Sequence, residues 1–134
     1  MTTCPNDHLQ TRFARVIAHI DAHADRQLDL AELAGIAAFS PFHFHRQFAA
    51  LFDITATRYI RLVRMYRAVH SLLFRKDIPI TDIAFDAGYE NAESFSRAFR
   101  KLHDQSPSDF RSHPDWDNWQ APYAKLQQIR RNTM

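Results

Sequence analysis

Arginine stands at positions 46 and 97 in two short segments that are otherwise rich in aromatic and small residues. These are Pro41-Phe42-His43-Phe44-His45-Arg46-Gln47-Phe48 and Ala92-Glu93-Ser94-Phe95-Ser96-Arg97-Ala98-Phe99. A guanidinium is permanently charged and offers its N–H donors in a planar fork, so it can grip O6 and N7 of a guanine together, or two phosphate oxygens. That chemistry is recognition, not bond-making. No Ser/His/Asp grouping, glycine-rich phosphate loop or carboxylate pair marks a catalytic centre, and no enzymatic activity is expected. His19 and His23, and His43 and His45, are close enough to suggest metal ligands, but no carboxylate–cysteine set completes either pair. Neither a metal nor a cofactor is expected.

The charge pattern fits a polyanionic partner better than the total does. The net charge is only +2. Between Ser40 and Lys76, however, Arg46, Arg58, Arg61, Arg64, Arg67, Arg75 and Lys76 face the single acid Asp53, a local charge of +6. Asp77 to Ser96 then holds Asp77, Asp82, Asp86, Glu90 and Glu93 with no lysine or arginine. A phosphate backbone feels the local field, not the sum over the chain.

The elements that would carry these arginines are duplicated. Leu30, Leu33, Ala34, Ala38, Phe39 and Ser40 recur fifty residues later as Ile80, Ile83, Ala84, Gly88, Tyr89 and Glu90. After one inserted residue, Phe44, Arg46 and Phe48 correspond to Phe95, Arg97 and Phe99. Such a repeat implies a duplicated structural unit. In the first copy Asp29 with Glu32 has the form of a capping box, opening a short helix with Leu30, Leu33 and Ala34 inward. A turn at Ala38–Ser40 leads to a second helix capped by Ser40 with Pro41 at its first position. Phe44, Phe48 and Leu51 make that helix's expected inward face, as Phe95, Phe99 and Leu102 do in the second copy. Two helices meeting across a tight turn form a helix-turn-helix, whose second helix enters the major groove of DNA.

Two further helices are predicted, over His8 to Ala24 (Phe13, Val16, Ile17 and Ile20 inward) and over Thr55 to Phe74, with an apolar stripe of Tyr59, Leu62, Val63, Tyr66, Val69 and Leu73. The second would span about 30 Å, close to the ~34 Å between successive major-groove segments on one face of B-DNA. The fold class is therefore all-α: about seven helices in two helix-turn-helix subdomains, about 8–53 and 78–112, joined by a linker helix over about 55–74. With only 2 glycines, the chain is poorly supplied for the many φ > 0 turns of a β architecture. No apolar run reaches the ~20 residues of a membrane span. Met1 to Asn6 lacks the layout of a signal peptide, and the lone Cys4 cannot form an internal disulfide, so a cytosolic setting is expected.

Subtracting the inward positions leaves Phe42, His45, Arg46 and Ala49 outward on the first recognition helix. On the second it leaves Ala92, Glu93, Ser96, Arg97 and Arg100. Arg46 and Arg97 are the expected base readers. Glu93 would accept from a cytosine amino group or else orient Arg97 at i+4, and Phe42 would press on thymine methyls or pack back on the linker helix. Arg58, Arg61 and Arg64 recur every three residues along the linker helix. Arg61, Arg100 and Lys101 are candidate phosphate contacts, with Ser40 and Ser96 beside them.

These residues resemble the DNA-binding domain of AraC/XylS-type transcriptional regulators over Leu28 to Arg111. The resemblance rests on Leu33-Ala34, Phe39 to Phe48, Tyr59-Ile60, Arg64 and Ala68. In the second half it rests on Ile83-Ala84, Gly88-Tyr89, Ser94-Phe95, Arg97-Ala98-Phe99 and Ser106-Pro107-Ser108-Asp109-Phe110-Arg111. It implies base reading by Phe42, His45 and Arg46 in the first half and by Ala92, Glu93 and Arg97 in the second. It also implies sequence-specific binding of promoter DNA, activation of transcription and contact with RNA polymerase. The DNA-binding part is expected to be monomeric.

Two residues depart from the family's pattern. Ala38 stands where glycine is frequent, so the first turn is expected to form without easy access to φ > 0. Ala92 replaces a larger polar reader, which would weaken specificity in the second half-site. No effector domain precedes the DNA-binding part within these residues, as in short stand-alone activators or members whose sensor follows. Residues 113–134 read either as a linker and capping helix or as the start of a C-terminal sensor domain. The similarity of the Phe42 to Arg46 run to members of the latter kind favours the second. The rival to a DNA binder is a helical adaptor that uses the basic stripe and Phe42 to bind protein.

Overall fold

The computed structural model describes residues 5–133, and every regular element among them is helical. The helices are α1 (Pro5–His23), α2 (Leu30–Ile36), α3 (Pro41–Phe52), α4 (Ala56–Phe74), α5 (Ile80–Asp86), α6 (Ala92–His103), α7 (Pro107–Ser112) and α8 (Ala124–Thr133), with a 3₁₀ turn at Ala121–Tyr123. Cys4, and the redox reading drawn from it, lies outside the described residues. Residues up to Arg61 together with those from Leu126 form one compact unit, and Leu62–Lys125 form another.

The first unit is built around Phe13 of α1. Its ring centroid lies 5.8 Å from that of Phe39, 5.7 Å from Phe44, and 6.0 Å from both Phe48 and Phe52. Offset and edge-to-face pairs of this kind stabilise beyond the area they bury. The inward stripe of α3 is Phe44, Phe48 and Phe52, all buried, whereas Leu51 is left 37% exposed. The sequence reading of Leu51 is thus corrected. Steps of seven and eight both keep a residue near one face of a helix, and the hub at Phe13 selects the eighth, with Phe52 edge-on to Phe48 at 4.7 Å. The same unit gathers α8: Arg130 donates to Asp21 Oδ1 at 3.1 Å, and the Tyr59 hydroxyl donates to that oxygen at 3.2 Å.

A second correction concerns α2. Asp29 does cap it, accepting from the Ala31 N–H at 3.0 Å. Glu32 does not complete a capping box; its carboxylate is held by Arg26 and by His19 Nε2, the latter at 2.6 Å. Those donors outcompete a backbone N–H because they are charged or chargeable. The Arg26 guanidinium, with His19, lowers the Glu32 pKa to about 2.

The second unit repeats the plan with Phe95, Phe99 and Phe110 buried among α4, α5 and the tail residues Trp119 and Tyr123. Counting fifty-one from Phe52 gives His103, which occupies the corresponding inward position. Its ring stacks on Phe99 at 4.4 Å and its Nε2 lies 2.8 Å from the Tyr123 hydroxyl. Burial lowers the His103 pKa to about 4, so the fold holds the neutral ring. The resulting stabilisation is complete above the unfolded pKa near 6.5 and is lost as pH falls from there towards 4. Allowing for a half-exposed ring, the expected loss is about 1–2 kcal/mol. Thermal unfolding measured between pH 7 and pH 4 should show it, and His103→Phe should remove most of the slope. A small slope of the same sign should remain from His70, whose pKa burial also lowers.

The two turns close alike. Phe39 N–H donates to the Ala34 carbonyl at 2.9 Å and Tyr89 N–H to that of Ala84 at 3.0 Å. Gly88 takes φ 91° and Ala38 takes φ 59°. The first turn uses positive φ all the same: Ala38 adopts the left-handed conformation despite its Cβ. That region costs an alanine about 1–2 kcal/mol, partly offset by the extra unfolded-state entropy of glycine. Ala38→Gly should thus stabilise by about 0.5–1 kcal/mol, raising the urea midpoint without altering the far-ultraviolet spectrum. At the matching position, a Cβ on Gly88 would sit 3.1 Å from Arg64 Nη1, so that arginine lies along the second turn.

Candidate nucleic-acid interface

Each recognition helix is held at its start by a side-chain cap. Ser40 Oγ accepts from the His43 N–H at 3.4 Å, with Pro41 at the first helical position, and lies 3.0 Å from His43 Nδ1. In the second copy Asn91 Oδ1 accepts from the Ser94 N–H at 2.8 Å. The residue inserted between the two repeat registers therefore supplies the second cap. Both helices end on an aspartate in the left-handed conformation, Asp53 at φ 60° and Asp104 at φ 55°. Start, stop and buried phenylalanine stripe together determine which residues of each helix face solvent.

On α3, Phe42, His45 and Arg46 are exposed and Ala49 is half-buried. Phe42 is 67% exposed, so it does not pack back on the linker helix. Instead the Arg46 guanidinium lies over its ring, 5.7 Å from the centroid. A cation over an aromatic face is attracted by the ring quadrupole, which restrains Arg46 on the solvent side of α3. On α6, Glu93, Arg97, Arg100 and Lys101 are exposed, and Ala92 and Ser96 are half-buried. Glu93 and Arg97 form no ion pair, so the orienting role considered for Glu93 is not in use here.

The linker-helix arginines divide. Arg58 and Arg61 are exposed in the first unit, while Arg64 is half-buried against Gly88 in the second. Among the candidate metal ligands, His19 is engaged with Glu32, and His43 lies beside Ser40. Among the described residues no three His, Cys, Asp or Glu side chains are grouped to hold a metal.

Sequence reasoning gave no role to Arg111 of α7, although it noted the residue. Its Nε donates to the Leu72 carbonyl at 3.2 Å, Nη1 to Ile78 at 2.8 Å, and Nη2 to Ser71 at 3.4 Å and Arg75 at 3.1 Å. Three of these carbonyls belong to the last turn of α4 and the residue just past it. A single cation thus sits on the carbonyl-rich C-terminal end of α4. There the Leu72 carbonyl takes it as its donor, and those of Ser71 and Arg75 accept from it in addition to the backbone N–H groups of Arg75 and Ile78. The only forewarning in the sequence was an arginine closing the Ser106 to Arg111 segment.

Two capped helix-turn-helix units, each with guanidinium groups on the open face of its second helix, define a DNA-binding domain of the double helix-turn-helix class. A helix-turn-helix domain family matches residues 33–113. The chain is 38% identical over 96 residues to the regulatory protein SoxS of Escherichia coli, covering 72% of this chain and 89% of SoxS. It is 34% identical over 104 residues to the transcriptional activator RhaS of Klebsiella pneumoniae, covering 78% of this chain and 37% of RhaS. It thus spans nearly all of the shorter relative and little more than a third of the longer. The DNA-binding domain of AdpA, solved in complex with a target DNA, has the same fold, with a TM-score of 0.67, 24% identity and coverage of 87% of this chain and 97% of that one. The chain belongs to the AraC-type family of helix-turn-helix transcriptional regulators.

Proposed function

We propose that the chain activates transcription by reading a promoter site through α3 and α6, inserted into adjacent major-groove segments of one duplex. The observation that carries this reading is the pairing of Arg46 and Arg97 at equivalent, solvent-facing positions of two recognition helices. Neither takes part in an ion pair with a neighbouring carboxylate. Helix α4 adds support: its 19 residues span about 28 Å, comparable to the groove repeat.

In this reading Phe42, His45 and Arg46, with Ala92, Glu93 and Arg97, face base edges. Arg61, Arg100 and Lys101 contact phosphates. So do Ser40 and Ser96, Ser40 where its helix presents unpaired N–H groups at the N-terminus. By analogy with relatives such as RhaS, whose name makes it a transcriptional activator, the proposal extends to activation in the cytoplasm through contact with RNA polymerase.

Selection of duplexes from a random pool, followed by titration of the selected site at several salt concentrations, tests the reading. Affinity should fall steeply with salt, by about 10³-fold or more between 50 and 200 mM if some six phosphates are contacted. Negligible affinity for selected and random duplexes alike at low salt would defeat it.

A further inference from the structure

Two guanidinium groups are braced on rings at the entry of α3. Arg46 lies over Phe42, and Arg12 of α1 lies over Phe39, 4.9 Å from its centroid. The two rings flank Ser40 and Pro41, where the helix begins. A cation over an aromatic face is held by the ring quadrupole, which engages none of its N–H donors. Arg12 is half-buried and makes no ion pair or hydrogen bond among the described residues. In the same unit Arg26 and Arg130, by contrast, direct their donors to Glu32 and Asp21. An apolar side chain would cover Phe39 equally well, without the desolvation cost of a half-buried, unpaired cation.

The placement recurs in the second unit. The buried stripe of α1, Phe13, Val16, Ile17 and Ile20, returns fifty-two residues later in α4 as Met65, Ala68, Val69 and Leu72. The duplication therefore extends to the helix that precedes each helix-turn-helix, and at this spacing Arg12 corresponds to Arg64. Arg64 lies along Gly88, next to Tyr89, the counterpart of Phe39. Each copy thus sets an arginine from its opening helix against the turn that leads into its recognition helix. A recognition helix enters the groove by its N-terminal residues, so the turn before it stands beside the phosphate backbone.

We infer that Arg12 binds a backbone phosphate beside the entry of α3, which makes α1 part of the DNA-binding surface. The inference rests on the proposed reading of DNA by α3. A guanidinium already braced on a ring has little rotamer freedom left to lose on docking, and its fork is open to two phosphate oxygens. Such a contact fixes position on the duplex without reading sequence.

Titration of Arg12→Gln on the selected duplex tests this. The slope of log affinity against log salt should drop by about 0.9, so the deficit against the parent narrows on the order of threefold between 50 and 200 mM. Base preference should not change. Arg12→Lys keeps the charge without the fork and should retain most of the slope. Arg15, three residues on and exposed on the side of α1 away from its buried stripe, is the control. Arg15→Gln removes the same charge and should leave the slope at the parent's value. A brace of the turn alone would instead shift the urea midpoint of Arg12→Gln and leave its slope unchanged. That result overturns the inference, as do equal slope losses from Arg12→Gln and Arg15→Gln. The parent tells which claim has failed: if its binding falls steeply with salt, only the role of Arg12 is lost. If the parent does not bind, the DNA reading falls with it.

Discussion

Arg46→Ala should lower affinity for a selected duplex by about 10- to 100-fold, and Arg97→Ala by less. A bidentate contact to guanine is worth about 1–3 kcal/mol, and both arginines are proposed to make one. What separates them is their setting. Arg46 lies in the segment of local charge +6 and is braced over the Phe42 ring, while Arg97 follows a run of five acids. A braced side chain loses less rotamer freedom on docking, and a positive surround adds to the field that phosphates feel. Titrations of both variants on one duplex at one salt concentration provide the comparison; equal or reversed losses would contradict the asymmetry. The salt dependence separates two roles for Arg46. Loss of a base contact leaves the slope unchanged and relaxes specificity at one position, whereas loss of a phosphate contact lowers the slope by about one.

Arg111→Met should destabilise the second unit by about 3 kcal/mol or more, a large fraction of the 5–15 kcal/mol that holds a typical domain together. Methionine keeps much of the side chain's volume but none of its donors. Four carbonyls, of Ser71, Leu72, Arg75 and Ile78, lose the cation that bridges them. Each charge-assisted bond contributes about 1.5–3 kcal/mol, though water replaces part of that at a half-buried site. Arg111→Lys should recover only a minor share, because an ammonium lacks the planar fork that spans several acceptors. Urea unfolding followed by circular dichroism gives the measurement; a midpoint within error of the parent would show that the four bonds are dispensable.

The helices and their duplication were legible because apolar periodicity and turn residues are local signals. Where that reading failed, the deciding contact came from elsewhere in the chain. Periodicity alone could not choose between Leu51 and Phe52; Phe13, some forty residues earlier, makes the choice. The repeat itself held the clue, since the fifty-one-residue spacing continues to Phe52 and His103 and then to Asp53 and Asp104. Glu32 looked like half of a capping box because only its distance from Asp29 was visible, not the folding of Arg26 and His19 against it. Ala38 was read from its own conformational preference, and a turn imposed by the two packed helices overrides that preference. Outward residues of α3 and α6 could be found by subtraction. The placing of Arg46 over Phe42 could not, because it depends on side-chain rotamers. Arg111 was hidden for a further reason: its acceptors are backbone groups, which carry no residue identity.

The ion pair from Asp21 to Arg130 joins residues more than a hundred positions apart, and the unit it closes is discontinuous in the chain. This imposes an order on biosynthesis. A ribosome delivers α1, α2 and α3 first, yet Leu126, Ile129 and Arg130, which complete their unit, emerge only after all of Leu62–Lys125. The unit that begins second is thus the first whose residues are all available, and the earlier helices must wait with part of their apolar surface open. Long-range closure of this kind is slow and leaves such surface exposed to chance encounters. The first unit, the more basic of the two proposed readers, is accordingly the one whose maturation depends on translation proceeding through residue 130.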